Sequence, residues 1–199
     1  MSDIATAPSG STTAGPGSAA VTDTARVRRR IKLWLWLFIV CLVLSGATAF
    51  PLQSETALLV RVLDATGLSS ALPALGDWAV LARDGVADGF GRYPFLAYGT
   101  DWLAFAHLVI AAAFWGPLRD PVRNIWVIRW AMLACGAVIP LALICGPLRD
   151  IPLFWRFVDM SFGVFGVIPL LIVHRLIRIL EWDQAVRTHH DFARVVPCP

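Results

Sequence analysis

The sequence predicts an all-α integral membrane protein, a four-helix bundle with short amphipathic helices in an outer cap. Three observations carry that reading. The 199 residues are 57% hydrophobic, with a mean hydropathy of +0.66. Only 16% are charged, whereas a soluble domain carries about a quarter. The apolar residues gather into four long runs, and the basic residues gather on alternate connections between them. So much apolar surface does not fit inside one soluble core of this size, and lipid is the expected solvent for much of it. Too little polar sequence is left over for a separate soluble catalytic domain.

Residues 1–25 are Ser, Thr, Ala, Gly and Pro with almost no large apolar side chain. Such a segment does not bury enough surface to offset its ordering entropy, so a disordered N-terminal tail is expected. Residues 26–52 form a basic flank, Arg26 to Lys32, and a first transmembrane run, Leu33 to Phe50. A basic flank before an apolar run also describes a signal peptide, and Ala47-Thr48-Ala49 resembles a cleavage site. The long leader and the interfacial Trp34 and Trp36 favour a retained anchor.

Residues 53–100 read as an extracytoplasmic amphipathic cap. Ser54 is placed to cap a helix carrying Leu58, Leu59, Val62 and Leu63 and ending near Gly67. Leu72 to Val86 reads as a second short helix. Asp64, Asp77, Asp84 and Asp88 make the cap acidic, and Tyr93, Phe95, Tyr98 and Trp102 form an aromatic belt.

Residues 101–180 hold the remaining three spans. The runs are Trp102 to Trp115 (starting near Phe95 if the turn around Tyr98 joins it), Ile125 to Cys145, and Phe157 to Ile179. A span needs about 20 apolar residues, so the second requires help from its flanking turns. Pro140 and Pro169 sit inside the third and fourth spans and are expected to kink them. The pair Gly163 and Gly166 suits close helix packing. Residues 181–199 form a C-terminal tail. Placing the N-terminus in the cytoplasm puts twelve basic residues on inner segments and five on outer ones. The positive-inside rule then predicts both termini in the cytoplasm.

One pentapeptide occurs twice. Gly116-Pro117-Leu118-Arg119-Asp120 returns as Gly146-Pro147-Leu148-Arg149-Asp150. One reading is a helix stop used twice: Gly takes the left-handed conformation, Pro prevents continuation, and Arg offsets the negative helix end while snorkelling. The other is an inverted repeat of the kind that builds transporters.

Candidate site residues are the ionisable groups in the spans. Asp101, His107 and Asp159 are all expected toward the outer face. Asp101 and His107 are six apart, about 120° around a helix, so a cluster needs Asp159 or the cap to complete it. The plainer reading is a satisfied histidine and two carboxylates favoured by positive helix ends. Arg129 and His174 belong to the opposite end. His107 and His174 differ in depth by roughly 16 Å, too far to ligate one haem. His189 and His190 lie in the tail.

Of the seventeen basic residues only Lys32 is lysine, which fits a GC-rich bacterial genome. Cys41, Cys135 and Cys145 lie in apolar runs and Cys198 in the tail, with no CxxC pair or metal-ligand spacing. No GxSxG, HExxH, P-loop or GxGxxG motif occurs. The basic residues flank spans, so nucleic acid is not an expected partner. No cofactor is specified.

The stretch Tyr93 to Ile179 resembles an uncharacterised group of bacterial four-span inner-membrane proteins. The likeness rests on Tyr93-Pro94-Phe95, on Tyr98 through His107, and on Gly116 through Asn124. It covers under half of the chain, and the group has no assigned activity, so it implies spans and no residue roles.

The expected role is a non-enzymatic accessory or assembly subunit of a larger bacterial inner-membrane complex, with the bilayer and other membrane subunits as partners. The alternatives are a small transporter, channel or proton-linked sensor using Asp101, His107 and Asp159, and a membrane-embedded enzyme acting on a lipid or quinone.

Overall fold

A computed structural model describes residues 16–195. Among them the elements are all helical: α1 (Pro16–Ala49), α2 (Leu52–Ala65), α3 (Leu68–Ala71), α4 (Pro73–Arg92), α5 (Phe95–Ala113), α6 (Trp115–Arg119), α7 (Ile125–Leu148) and α8 (Leu153–Val195). Four stretches are long and apolar enough to cross a membrane: Thr24–Ala49, Phe95–Arg119, Ile125–Leu148 and Leu153–Val186. The second reaches its 25 residues because α6 continues α5 almost directly. The start of α5 at Phe95 and the continuation through α6 together supply the length that the run from Trp102 to Trp115 lacks.

The tail expected over residues 1–25 falls mainly outside the described residues, but the chain is helical from Pro16. Proline suits a first helical position, where its missing N–H costs no bond. At the other end α8 runs on to Val195, through most of the segment read as a tail. Ser54 lies inside α2 and caps nothing. That helix starts at Leu52 after Pro51, and Thr56 returns its hydroxyl to the carbonyls of Leu52 and Gln53. The second cap helix is longer than its apolar pattern and ends at Arg92. Gly67, with φ of 71°, makes the turn between α2 and α3.

The spans do not all touch one another. α1 lies between α5 and α8, and α8 packs on α7. The cap is a smaller unit in which α2 and α3 pack on α4, around Val60, Leu63 and Ala79. The main core lies toward the end of the bundle that carries α6. Ile31 and Leu35 of α1, Phe114 at the end of α5, Ile128 of α7, and Leu170, Ile177 and Leu180 of α8 are all fully buried there. Phe114 meets Phe38 with ring centroids 4.9 Å apart.

Toward the cap end the buried residues of the spans are small. A methyl group at Gly46 would come within 2.7 Å of His107 Cβ and 3.1 Å of the Ala104 carbonyl. This is the α1–α5 seam. At Gly163 a Cβ would collide with the Cys135 carbonyl, and at Gly166 it would lie 3.2 Å from Cys135 Sγ. Both glycines therefore bring α8 close to α7, as their spacing leads one to expect. Pro140 and Pro147 lie inside α7, and Pro169 inside α8.

Candidate functional site

The three ionisable residues picked out from the sequence lie in the cap-side half of the spans. His107 is half-buried on α5 against Gly46, with Nδ1 2.8 Å from the Leu103 carbonyl one turn back. A carbonyl only accepts, so Nδ1 carries the proton and donates. In the neutral ring Nε2 is then the lone-pair atom.

Depth follows from helix rise. Phe38 lies opposite Gly166, and Gly46 opposite His107. Gly46 is eight residues from Phe38, about 12 Å, and Asp159 is seven residues from Gly166, about 10 Å. His107 and Asp159 therefore sit at nearly one depth. They sit on different helices, however, and α1 packs between those helices. Asp101 lies a further six residues toward the cap. No hydrogen bond or ion pair joins any two of these three groups, and none is fully buried. The structure thus gives them a common region without a shared contact. No group of three or more His, Cys, Asp or Glu able to hold a metal occurs among the described residues.

The two pentapeptides lie at opposite ends of α7 and adopt different conformations. In the first copy Gly116 to Arg119 form α6 and Asp120 is extended. Asn124 Nδ2 donates to the carbonyls of Gly116 (3.2 Å) and Asp120 (2.9 Å), and Asp120 Oδ1 accepts the Arg123 N–H at 3.1 Å. The Arg119 guanidinium carbon lies over the Trp115 ring, 5.0 Å from its centroid.

In the second copy Gly146 to Leu148 complete α7. The Ile151 N–H bonds the Gly146 carbonyl, the Asp150 N–H bonds that of Pro147, and Asp150 takes φ of 53°. That is a Schellman stop with aspartate, not glycine, in the left-handed position. The expectation that Gly supplies the left-handed residue is corrected on this point. Gly146 is helical and small because the Arg156 side chain crosses directly over it.

Sequence patterns gave no signal for that crossing or for the link between cap and bundle. Trp78 of α4 meets Trp155 of α8, with centroids 6.2 Å apart. Trp78 Nε1 and Arg156 Nε are buried there without a hydrogen-bond partner. The cap also holds a cavity of about 240 Å³ lined by Val60, Leu63, Asp64, Ser69, Pro73 and Asp77, among others. Nearby, the Arg83 guanidinium bonds Asp84 at 2.8 Å and holds that carboxyl below the usual carboxylate range.

The aromatic belt is more ordered than its composition required. Tyr98, Trp102 and Phe105 form a column on the face of α5 turned away from Ala104 and α1. Successive rings meet edge to face at 6.0 Å.

Four apolar spans, a helical cap and ionisable groups spread between helices define a multi-pass α-helical membrane protein. Compared with known proteins, the chain matches no family model, no curated protein and no solved structure.

Proposed function

We propose that this protein is a non-enzymatic accessory or assembly subunit of a larger bacterial inner-membrane complex, with both termini in the cytoplasm and the cap outside. We place it with the four-span bacterial group that Tyr93 to Ile179 resembles. The observation that carries the role is the column on α5. Tyr98, Trp102 and Phe105 are 61%, 55% and 53% exposed, yet their rings are already ordered against one another. Aromatic rings supply large contact area with few rotatable bonds. A pre-ordered column loses little further freedom on docking, so more of the contact energy appears as affinity. The face lies opposite the α1 seam and is free to receive another helix.

The test is purification of the full chain from native membranes in mild detergent. A stoichiometric membrane partner is expected with the wild type. It should be lost from the variant combining Tyr98→Ala, Trp102→Ala and Phe105→Ala. It should be kept when the exposed Leu133 and Leu141 of α7 become Ala. A protein that purifies alone, and whose pH-dependent flux in liposomes disappears in His107→Gln, would overturn this reading in favour of transport.

A further inference from the structure

We propose that the end of the bundle carrying α6 holds the headgroup of an anionic phospholipid, gripped by Arg119 and Arg123. Independently of the subunit reading, hydrogen bonds knit residues 115–124 together. Asn124 ties the Gly116 and Asp120 carbonyls together, lying so close over Gly116 that a methyl group there would meet Asn124 Oδ1 at 3.1 Å. Pro117, Leu118 and Pro121 are buried beneath. This connection is a short, internally bonded platform anchored in the main core.

Two arginines stand on that platform, both exposed. Neither has a carboxylate partner among the described residues. Asp120, the acid between them, bonds the Arg123 backbone N–H through Oδ1 and leaves both guanidinium groups unpaired. The Arg119 guanidinium carbon sits over the Trp115 ring, 5.0 Å from its centroid. That cation–π contact uses no carboxylate or carbonyl acceptor, so the guanidinium fork stays available to a two-oxygen acceptor such as a phosphodiester.

The surroundings suit a lipid rather than a free anion. Trp115 and Trp126 are 55% and 63% exposed beside the arginines, where indoles favour the headgroup level and acyl chains pass alongside. Arg129 adds a cation one turn into α7, and α1, which packs on α6, brings Arg28, Arg29 and Arg30 to the same end. The nearby acids besides Asp120 are Glu181, already paired with Arg178, and Asp183.

The second pentapeptide is an internal control. Arg149 has the same sequence neighbours, but it caps α7 and stacks on no ring.

The test uses the full chain reconstituted in vesicles of equal phosphatidylglycerol and phosphatidylcholine. After extraction in mild detergent, the retained lipids are measured by mass spectrometry. The wild type should be enriched in phosphatidylglycerol. Arg119→Gln and Arg123→Gln should each lower the enrichment about fivefold, the effect of one cation near an anionic surface. Arg149→Gln should leave it unchanged. Arg119→Lys keeps the charge but not the flat fork, and should fall between; it also serves if a Gln variant folds poorly. Equal losses in Arg119→Gln and Arg149→Gln, or wild-type enrichment in both Gln variants of the platform, would overturn the site. Displacement of the lipid by excess inorganic phosphate would overturn the choice of a lipid occupant.

Discussion

The two ends of the bundle are held together by different means. At the α6 end all four spans meet around large buried side chains, with Phe114, Ile31, Leu35, Ile128 and Leu170 fully enclosed. Toward the cap end the close contacts run through Gly46 and Ala104 between α1 and α5, and through Gly146 between α7 and α8. Lipid tails are as apolar as leucine, so no hydrophobic force drives spans together once they are inserted. Association then rests on dense packing or on close backbone approach. Large side chains can fill the space among four helices. Gly46 draws α1 onto α5 and Gly163 draws α8 onto α7, while Gly166 meets both Cys135 of α7 and Phe38 of α1.

Charge divides the molecule the same way. The cap end carries Glu55, Asp64, Asp77, Asp84, Asp88, Asp101, Asp150 and Asp159, against Arg61, Arg83, Arg92, Arg149 and Arg156. The α6 end carries the basic flank of α1 together with Arg119, Arg123, Arg129, Arg175 and Arg178.

The largest effect expected from this contrast is one of sidedness. Alkaline phosphatase fused after Asp88 or Asp150 should be active, and fused after Asp120 or Asp183 inactive. The opposite pattern would invert the molecule, and a mature N-terminus near residue 50 would mean that the first apolar run is a cleaved signal.

Next in size are the seams. Gly163→Ala drives a methyl group into the Cys135 backbone carbonyl, which has little room to yield, and should cost about 1–3 kcal/mol in detergent unfolding. Gly99→Ala meets nothing within 4 Å. It should be neutral or stabilise by up to about 1 kcal/mol, because alanine loses less backbone entropy in a helix. Equal effects at the two positions would mean that the α7–α8 seam is not as close as described.

The repeated pentapeptide offers one substitution with two signs. Asp150→Gly relieves a left-handed aspartate and should stabilise by about 1 kcal/mol. Asp120→Gly removes the acceptor of the Arg123 N–H and should destabilise by about 1 kcal/mol. Thermal unfolding of the two variants side by side measures both, and shifts of the same sign would contradict the different geometries.

The smallest effect is in the cap. Asp84 is held below its ordinary range by Arg83. A group whose folded value is depressed contributes stability above its unfolded value and loses it as pH falls through the folded one. That loss belongs below the usual carboxylate range and is small, because both side chains are solvated. Carboxyl NMR titration should show Asp84 returning toward the ordinary value in Arg83→Gln.

Much of this organisation was readable from local sequence. Four spans, an amphipathic cap and the polarity of the two ends follow from apolar run length and from where arginines fall, and neither needs knowledge of a neighbour. The depths of His107 and Asp159 were within reach for the same reason, since rise per residue is constant along a helix. Their lateral separation by α1 was not. In a membrane the faces turned to lipid and to other helices are both apolar, so hydrophobic periodicity does not say which helix lies beside which.

The pentapeptides mark the boundary most clearly. Five identical residues form a helical platform under Asn124 in one place and a helix stop in the other. A chain break near each copy follows from local composition, because Gly, Pro and Asp all disfavour a continuing helix. Which kind of break each became depends on the side chain that packs over it. Asn124 and Arg156, eight and ten residues downstream, fold back over the two glycines, and only the three-dimensional path of the chain brings them there.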